Sequence, residues 1–295
     1  MRHGMLLLLL AGLIVIDTFP SQRAHAQNNK KVLVRVDGKS ITQDDLERLY
    51  QFRNVSRELQ PKVQDEFIDI LIDTELMQQF LKSQKVTVSN DELAQQVKMV
   101  KGLLPPNAVA GAFAEQVLRE ELALPLKWRN YVLKTVTEQQ IGDYFTTHHL
   151  KFDGTELRAS QIFLAVESMS DQKQVEAGLA KLARIRMEIE AGLPFADAAK
   201  KYSDSPSGAK GGDLGWFLYE GKVSPQMAKM AFSLQKGELS QPFPGAKGVH
   251  LCLVTDRKEG ESGLEDARTA VLQALSSELW TRKIKELRSK AKIDR

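Results

Sequence analysis

Apolar and polar residues follow two different spacings along this chain, and the change between them marks its organisation. A short strand is predicted first, because Val32, Val34 and Val36 stand at every second position and the turn pair Asp37-Gly38 follows them. Helical spacing of three and four residues then dominates the rest of the first half. The first half is therefore predicted to be helical with one short strand.

Local signals place the ends of these predicted helices. Thr42 with Asp45 makes a capping-box start, Pro61 suits a first helical turn, and Pro125 predicts a kink. The predicted helical segments are 42–53, 61–81, 89–100, 112–134 and a last one that Thr137 begins.

A Gly-containing turn at Asp153-Gly154 separates this half from a segment of mixed character. Its predicted elements are a strand over 157–166, helices over 171–191 and 194–202, a Gly-, Ser- and Pro-rich stretch over 203–221, a helix over 225–232 and a strand over 249–254. Strands at both ends of the segment would enclose its helices in one compact α+β unit.

The remainder beyond Gly263 is predicted to be one helix, with Val271, Leu275 and Leu279 on one apolar stripe. So much apolar surface must be buried, and the helical half is its natural partner. The predicted fold class is α+β, with a helical domain completed by a C-terminal helix and one α+β domain inserted. The expected boundaries are a signal peptide over 1–26, the helical domain over 27–152, the inserted domain over 153–258 and the C-terminal helix over 259–295.

A short apolar run near the N-terminus has the features of a secretion signal. Arg2 precedes the run 5–16, and Ala24-His25-Ala26 supplies the small-x-small pattern of a cleavage site. Because a membrane span needs about 20 apolar residues, we predict cleavage after Ala26, with a signal anchor as the alternative. The expected location is periplasmic or secreted. No stable membrane anchor is expected, because a lipid anchor needs a cysteine just after the run.

The charge and cysteine content disfavour whole classes of function. The 41 Lys and Arg residues nearly balance 38 Asp and Glu residues, so the net charge of +3 argues against a nucleic-acid partner. The single cysteine, Cys252, excludes a disulfide within the chain and a multi-cysteine metal site. His148 and His149 are adjacent and their side chains diverge on most backbones. No metal and no cofactor are therefore expected.

The segment 202–217 reads Tyr-Ser-Asp-Ser-Pro-Ser-Gly-Ala-Lys-Gly-Gly-Asp-Leu-Gly-Trp-Phe and resembles the signature loop and strand of the parvulin-type peptidyl-prolyl isomerases. Further motifs keep the family order, namely Pro194-Phe195, Gly237-Glu238-Leu239-Ser240 and Gly248-Val249-His250. The resemblance covers residues 157–257 and implies a parvulin-like α+β domain with a proline-binding pocket.

The helical half is similar to the chaperone domain of the SurA-like proteins. Residues 36–42 match the strand-turn-helix opening of that domain, and residues 85–93 match a later helix junction. The two resemblances together imply a secreted chaperone with a single parvulin module, in which the terminal helix completes the chaperone domain.

The parvulin resemblance also implies which polar residues would form the site. Gln161 stands where the family has its first histidine, and Ser205 stands where it has cysteine or aspartate before proline. Gly245 replaces a frequent threonine or serine, and only His250 keeps the family's residue. The catalytic residues that the resemblance implies are His250, Ser205 and Gln161.

An apolar pocket is implied by the same resemblance, at Leu214, Val223 and Met227, with Phe232 as a wall. Val223 replaces the family's usual methionine, and Met227 replaces its usual phenylalanine. These four residues are the predicted substrate-binding set. Because the polar network departs from the family pattern, weak isomerase activity is expected.

Rotation about an X-Pro bond faces a barrier of about 18–20 kcal/mol from amide conjugation, yet no covalent bond changes. The sequence predicts an exported folding factor that binds unfolded or extended client polypeptides containing proline or aromatic residues, with weak peptidyl-prolyl isomerase activity. Two alternatives stay open: a non-catalytic chaperone whose parvulin module only binds peptide, and an assembly factor for one envelope complex.

A nucleophilic pair of Cys252 with His250 is rejected in favour of packing, since no third group is in view.

Overall fold

The computed structural model of the chain describes residues 31–103 and 112–295. The predicted signal peptide over 1–26 and its cleavage position lie outside these residues. Two compact units are present. The helical unit comprises the described chain up to Ile141 together with Leu272–Arg295, and the α+β unit comprises Gly142–Val271. The boundaries at 152 and 258 that the sequence favours stay predictions.

The helical unit contains α1 (Gln43–Phe52), α2 (Gln60–Ser83), α3 (Asn90–Leu103) and α4 (Ala112–Thr135), and α5 (Glu138–Thr147) begins in it. The capping box predicted for α1 is confirmed, because Thr42 N donates to Asp45 Oδ2 at 2.8 Å and Asp45 N donates to Thr42 Oγ1 at 3.4 Å. Pro125 lies inside α4. The kink expected at Pro125 stays a prediction.

A small sheet corrects the expectation of a single strand in this unit. β1 (Val32–Val36) and β2 (Lys39–Thr42) form a hairpin whose turn residues Asp37 and Gly38 have φ values of 49° and 84°. Two consecutive positive φ values are typical of the type I′ turn that favours this Asp-Gly pair. β7 (Ile293–Asp294) pairs with the other edge of β1, giving the antiparallel order β2-β1-β7. The pattern missed β2 and β7 because both are too short to show alternation.

The second half of α10 (Leu264–Lys290) completes the core of the helical unit, as the sequence predicts. Trp128 Nε1 donates to Ser276 Oγ at 2.9 Å, and both residues are buried. The cluster around them contains Met77, Leu81, Trp128, Val132, Leu279, Trp280 and Ile284. Apolar burial of this extent contributes about 25 cal/mol per Å² removed from water, which is why the terminal helix belongs to this core.

Ion pairs hold the end of α10 against α2. Arg288 Nε and Nη1 pair with Asp73 and Asp69, and Arg288 Nη2 donates to the Asp69 carbonyl at 3.0 Å. Arg295 also pairs with Asp69. These groups are a third or more exposed, so each pair contributes little, roughly 0–1 kcal/mol, but together they fix the register of the two helices.

The α+β unit is built on an antiparallel sheet with the order β4-β3-β6-β5. Its elements are α6 (His149–Phe152), β3 (Glu156–Ala165), α7 (Gln172–Glu190), α8 (Phe195–Tyr202), a 3-10 helix (Pro206–Lys210), β4 (Asp213–Phe217), α9 (Pro225–Phe232), β5 (Phe243–Pro244) and β6 (Gly248–Lys258). The predicted helix 225–232 and the two long strands are confirmed. β4 and β5 arise in segments whose residues do not alternate.

Both faces of this sheet are covered by apolar side chains. Ile162, Leu164, Val249 and Leu251 pack with α7 and α8 on one face. Leu157, Ala159, Cys252 and Val254 pack with α9 on the other. Alternate side chains of β3 and β6 therefore pack into different cores. The candidate site lies on the face that packs with α9.

Across the described ranges, no helix combines the length and the apolar character that a membrane crossing requires.

Candidate functional site

The register of the two central strands brings the predicted polar residues to one face of the sheet. Phe163 of β3 lies opposite His250 of β6, and Gln161 lies opposite Cys252. Side chains at every second position of a strand point to the same face. Gln161 and His250 are thus diagonal neighbours on the face covered by α9.

A hydrogen-bonded chain joins the three residues that the resemblance implies as catalytic. His250 Nδ1 lies 3.1 Å from Gln161 Oε1. Gln161 Nε2 donates to Ser205 Oγ at 3.4 Å, and Ser205 Oγ lies 3.0 Å from Ser207 Oγ. The structure therefore brings His250, Gln161 and Ser205 together, although they lie far apart in sequence.

The direction of the hydrogen bonds assigns the protons of this chain. Because the Gln161 amide nitrogen donates to Ser205, its oxygen accepts, and Nδ1 of His250 must carry a hydrogen. Burial lowers the pKa of His250 below its ordinary value of 6.5, which favours the neutral ring. Nε2 then carries a lone pair, and it has no hydrogen-bond partner among the described residues.

Two aromatic rings fix the plane of the imidazole. Phe243 stacks on His250 with an interplanar angle of 19° and a centroid distance of 5.4 Å, and the Phe163 centroid lies 4.9 Å away at 41°. Neither ring was singled out from the sequence. Phe163 could have been found from its position two residues after Gln161 on the same strand, whereas Phe243 shows no comparable signal.

The loop before the 3-10 helix is tied to β3 by its own side chains. Ser203 Oγ accepts from Phe163 N at 3.0 Å, and Asp204 Oδ2 accepts from Ala165 N at 2.9 Å. Asp204 N donates to the Phe163 carbonyl at 2.8 Å. These bonds continue the sheet edge without a strand and hold Ser205 beside Gln161. Sequence reasoning missed Ser203 and Asp204 as positioning residues.

Glycine is required at Gly212, at the end of this loop. Gln161 N donates to the Gly212 carbonyl at 2.9 Å, and Gly212 has a φ of 82°. A Cβ at this position would lie 2.3 Å from the Gln161 carbonyl oxygen. Only a residue without a side chain lets the loop approach β3 this closely.

Gly245 explains one departure from the family pattern. A Cβ at this position would lie 2.4 Å from His250 Nε2. The imidazole therefore occupies the space that a threonine or serine side chain would need. Glycine at 245 is therefore compatible with the observed position of His250, whereas a larger residue there would require the imidazole to shift.

The four predicted substrate-binding residues belong to one apolar cluster but differ in exposure. Met227 and Phe232 are 2% and 4% exposed and form part of the core. Leu214 and Val223 are half-buried and pack against that core. Only Leu214 and Val223 keep appreciable surface for contact with a peptide, while Met227 and Phe232 support them from below. The assignment of these residues to substrate binding stays a prediction.

Two family models match the chain in succession. The PPIC-type PPIase domain matches residues 162–256, and the SurA-like N-terminal domain matches residues 1–142. The chain joins a SurA-like N-terminal domain to a PPIC-type parvulin domain. From here on, the α+β unit is called the parvulin domain.

Similar proteins are foldases and chaperones by name. The chain is 27% identical over 239 residues to foldase protein PrsA of Bacillus subtilis (strain 168), covering 80% of this chain and 71% of the relative. It is 26% identical over 299 residues to chaperone SurA of Alkalilimnicola ehrlichii, covering 93% and 68%. The crystal structure of PrsA from Bacillus cereus is 21% identical with a TM-score of 0.46, covering 89% of this chain and 92% of that one.

The single cysteine of the parvulin domain is unsuited to nucleophilic chemistry. Cys252 has no exposed surface, and burial raises the pKa of its thiol to about 12. The thiolate, which is the reactive form, is therefore scarce at neutral pH. The rejection of a nucleophilic pair with His250 agrees with this geometry.

Metal-binding residue types do not cluster in the part of the chain that the structure describes. It contains no group of three or more His, Cys, Asp or Glu side chains that could hold an ion. His148 Nδ1 lies 2.9 Å from the Tyr144 carbonyl oxygen, and His149 Nδ1 lies 3.2 Å from that of Thr146. Both rings thus bond carbonyl groups of α5.

Proposed function

We propose that the protein is an exported folding factor that holds unfolded client polypeptides and weakly catalyses cis/trans isomerisation of their X-Pro bonds. The observation that carries the catalytic part is the hydrogen-bonded chain from His250 through Gln161 to Ser205, on the sheet face whose apolar cluster the half-buried Leu214 and Val223 join. The SurA- and PrsA-named relatives support the folding part.

Isomerisation needs a site that binds the twisted amide better than the planar one. The amide nitrogen of the X-Pro bond gains a lone pair as conjugation is lost, so a donor near it favours the twisted state. Ser205 Oγ already accepts from Gln161 Nε2, and its own hydrogen is available to a substrate or to Ser207. Ser205 is therefore the proposed donor, and Gln161 orients it.

His250 acts in this scheme as a neutral anchor. Its Nδ1–H holds the Gln161 amide oxygen, which fixes the direction in which the amide nitrogen donates. The rings of Phe163 and Phe243 pack against the imidazole and hold its plane. Leu214 and Val223 would contact the proline ring and exclude water from the carbonyl group of the X-Pro bond. No metal or cofactor takes part in this proposal.

The isomerase test is an assay on a proline tetrapeptide without a coupling protease. We expect acceleration at high protein concentration, and a drop of about three- to tenfold in kcat/KM for His250→Ala and Ser205→Ala, the effect of one lost hydrogen bond. His149→Ala is the matched control, because His149 is exposed and, among the described residues, its ring bonds only the Thr146 carbonyl of α5. An inactive folded chain would remove the isomerase claim.

The chaperone test measures aggregation of a chemically unfolded client in the presence of the full chain. Suppression by the wild type and by His250→Ala alike would mean that holding does not need catalysis. If tetrapeptide turnover is also absent, the protein is a non-catalytic chaperone. Suppression confined to one envelope protein among many clients would instead favour an assembly factor. Peptide arrays with proline or aromatic residues replaced by serine test the proposed client preference.

Export is proposed from the N-terminal pattern at residues 1–26. Expression with a tagged C-terminus followed by cell fractionation should place the product outside the cytoplasm. Its intact mass should correspond to a chain that begins at Gln27. A product that keeps the first 26 residues and sediments with membranes would support the signal anchor.

A further inference from the structure

A cavity of about 790 Å³ lies within the helical unit. Its walls are the end of α2, the segment 85–88 and the middle of α4. The volume falls within the roughly 300–1,000 Å³ of ligand pockets. We call this cavity the lysine groove, and its lining residues are Gln78, Lys82, Lys85, Val86, Thr87, Val88, Glu120, Ala123, Leu124 and Lys127.

The groove is positively charged at its rim and apolar inside. The side-chain ammonium groups of Lys82, Lys85 and Lys127 have no ion pair or hydrogen bond with any other described residue. Glu120, the one acidic lining residue, accepts from Gln116 Nε2 at 3.1 Å. The half-buried side chains of the floor join the cores of the unit and are Val86, Val88 and Leu124. Three unpaired ammonium groups around an apolar floor form a binding surface for an anionic, partly apolar ligand.

The segment that forms one wall is fixed in place by hydrogen bonds. Lys85 has a φ of 53°, a conformation that lysine rarely adopts, and Val86 N donates to the Leu81 carbonyl at 3.0 Å. Asn130 Nδ2 of α4 donates to the Thr87 carbonyl at 3.3 Å. The groove therefore exists before a ligand arrives, and the lysine at 85 is held in a strained backbone conformation.

Helix electrostatics accounts for only one of the lysines. Lys82 lies in the last turn of α2, where a cation stabilises the carbonyl end of the helix. Lys127 lies in the interior of α4, where that effect is absent, yet it faces the same cavity. The three charges converge from different elements, which points to a shared ligand.

We propose that the lysine groove holds extended client segments in which acidic residues flank an apolar side chain. This inference rests on the proposed chaperone function and names the client chemistry that one of its surfaces selects. Charge complementarity assigns the acidic residues to the lysines, and the floor of Val86, Val88 and Leu124 takes the apolar side chain. A lipid headgroup or inorganic phosphate would use the lysines and leave the floor uncovered.

The experiment compares binding of fluorescent decapeptides to the full chain by anisotropy at low salt. The probe peptide has alternating Glu and Leu residues and an amidated C-terminus, so that only side-chain carboxylates contribute. One control peptide carries Lys in place of Glu, and another carries Ser in place of Leu. We expect the probe to bind at least about tenfold more tightly than either control, with the difference from the Lys peptide shrinking in 0.5 M NaCl.

A matched pair of variants locates the binding. Lys82→Glu with Lys127→Glu reverses two charges of the groove, on α2 and α4. Lys62→Glu with Lys134→Glu reverses two lysines on the same two helices outside the groove, whose ammonium groups pair with no residue that the structure describes. Lys134, like Lys82, lies in a last helical turn. The first pair should weaken probe binding by about tenfold and the second by less than about twofold. Circular dichroism checks that both variants fold.

The outcomes separate this inference from the function on which it rests. Equal binding of the Glu and Lys peptides, or equal loss in the two variants, would overturn the acidic preference while the chaperone function stands. Binding of phosphatidylglycerol vesicles without binding of the probe would also overturn it. If no peptide binds and no client is protected from aggregation, the proposed function itself fails.

Discussion

Replacement of Gly212 by alanine tests whether close approach of the loop to β3 builds the parvulin site. Gly212 combines a φ of 82° with a virtual Cβ position 2.3 Å from the Gln161 carbonyl oxygen. The Cβ position is fixed by the backbone of residue 212, and the oxygen that it would meet belongs to the backbone of β3, so neither atom can move alone. The loop or the strand must therefore move, and the bond from Gln161 N to the Gly212 carbonyl is lost or lengthened.

The expected magnitude follows from two separable effects. A left-handed backbone costs an L-residue about 1–2 kcal/mol, partly offset by about 0.4–1 kcal/mol because alanine restricts the unfolded chain. Gly237→Ala isolates this effect, since Gly237 has a φ of 85° and no atom within 4 Å of its virtual Cβ. We expect a loss of about 1 kcal/mol for Gly237→Ala and about 3–5 kcal/mol for Gly212→Ala, because the overlap and the lost hydrogen bond add.

The assay is unfolding in urea followed by hydrogen exchange of peptides from β3 and β6, read by mass spectrometry. These peptides report on the parvulin domain alone, so unfolding of the helical unit does not interfere. Equal destabilisation by Gly212→Ala and Gly237→Ala would refute the reasoning, because backbone conformation alone would then explain both. A larger loss for Gly212→Ala with unchanged protection in the helical unit would support it.

Three further predictions concern the cores and charges of the two units. Cys252 should react with a thiol reagent only after unfolding, because it is buried and its pKa is raised to about 12; rapid labelling of the folded chain would contradict this. Burial lowers the pKa of His250 below 6.5, so the unfolded chain binds a proton at a higher pH than the folded chain, and stability should fall as the pH drops through 6.5 towards the folded pKa. Urea titrations of His250→Gln should show that stability depends less on pH than in the wild type. The same pH dependence in both proteins would rule His250 out as its source. Arg288→Ala should lower the stability of the helical unit by about 1 kcal/mol, because it loses the ion pairs to α2. Arg282→Ala is the control, since it loses an ion pair only within α10, and it should lower stability by roughly half of that or less. Equal urea midpoints for the two variants would speak against the bridge to α2.

The long helices and strands could be predicted from the sequence, because in each of them apolar residues recur several times at the spacing typical of a helix or a strand. The helix 225–232 and the strands that hold Gln161 and His250 were expected from such repeats or from the motifs within them. β2, β5 and β7 were not, since strands of two to four residues contain at most two alternations. Their pairing depends on partners distant in sequence, as with Val36 and Ile293.

The sequence predicted which residues form the site but not how they are arranged in space. Motif order identified Gln161, Ser205 and His250, and the strand register then placed them within hydrogen-bonding distance. The burial of Met227 and the stacking of Phe243 on His250 depend on packing between elements, which local spacing does not encode. The lysine groove has the same origin, because its three cations converge only after α2 and α4 pack.

The pairing of β7 with β1 has a consequence for the order in which the molecule is completed during synthesis. Lys292 exchanges hydrogen bonds with Asp37, so the hairpin near one end of the chain waits for residues near the other. Domains usually fold in the order in which they leave the ribosome. Here the parvulin domain, which is continuous in sequence, can fold first. The helical unit, although its first segment is synthesised earlier, keeps apolar surface uncovered until residues 272–295 have been synthesised. A factor that protects other chains would thus pass through a client-like stage of its own.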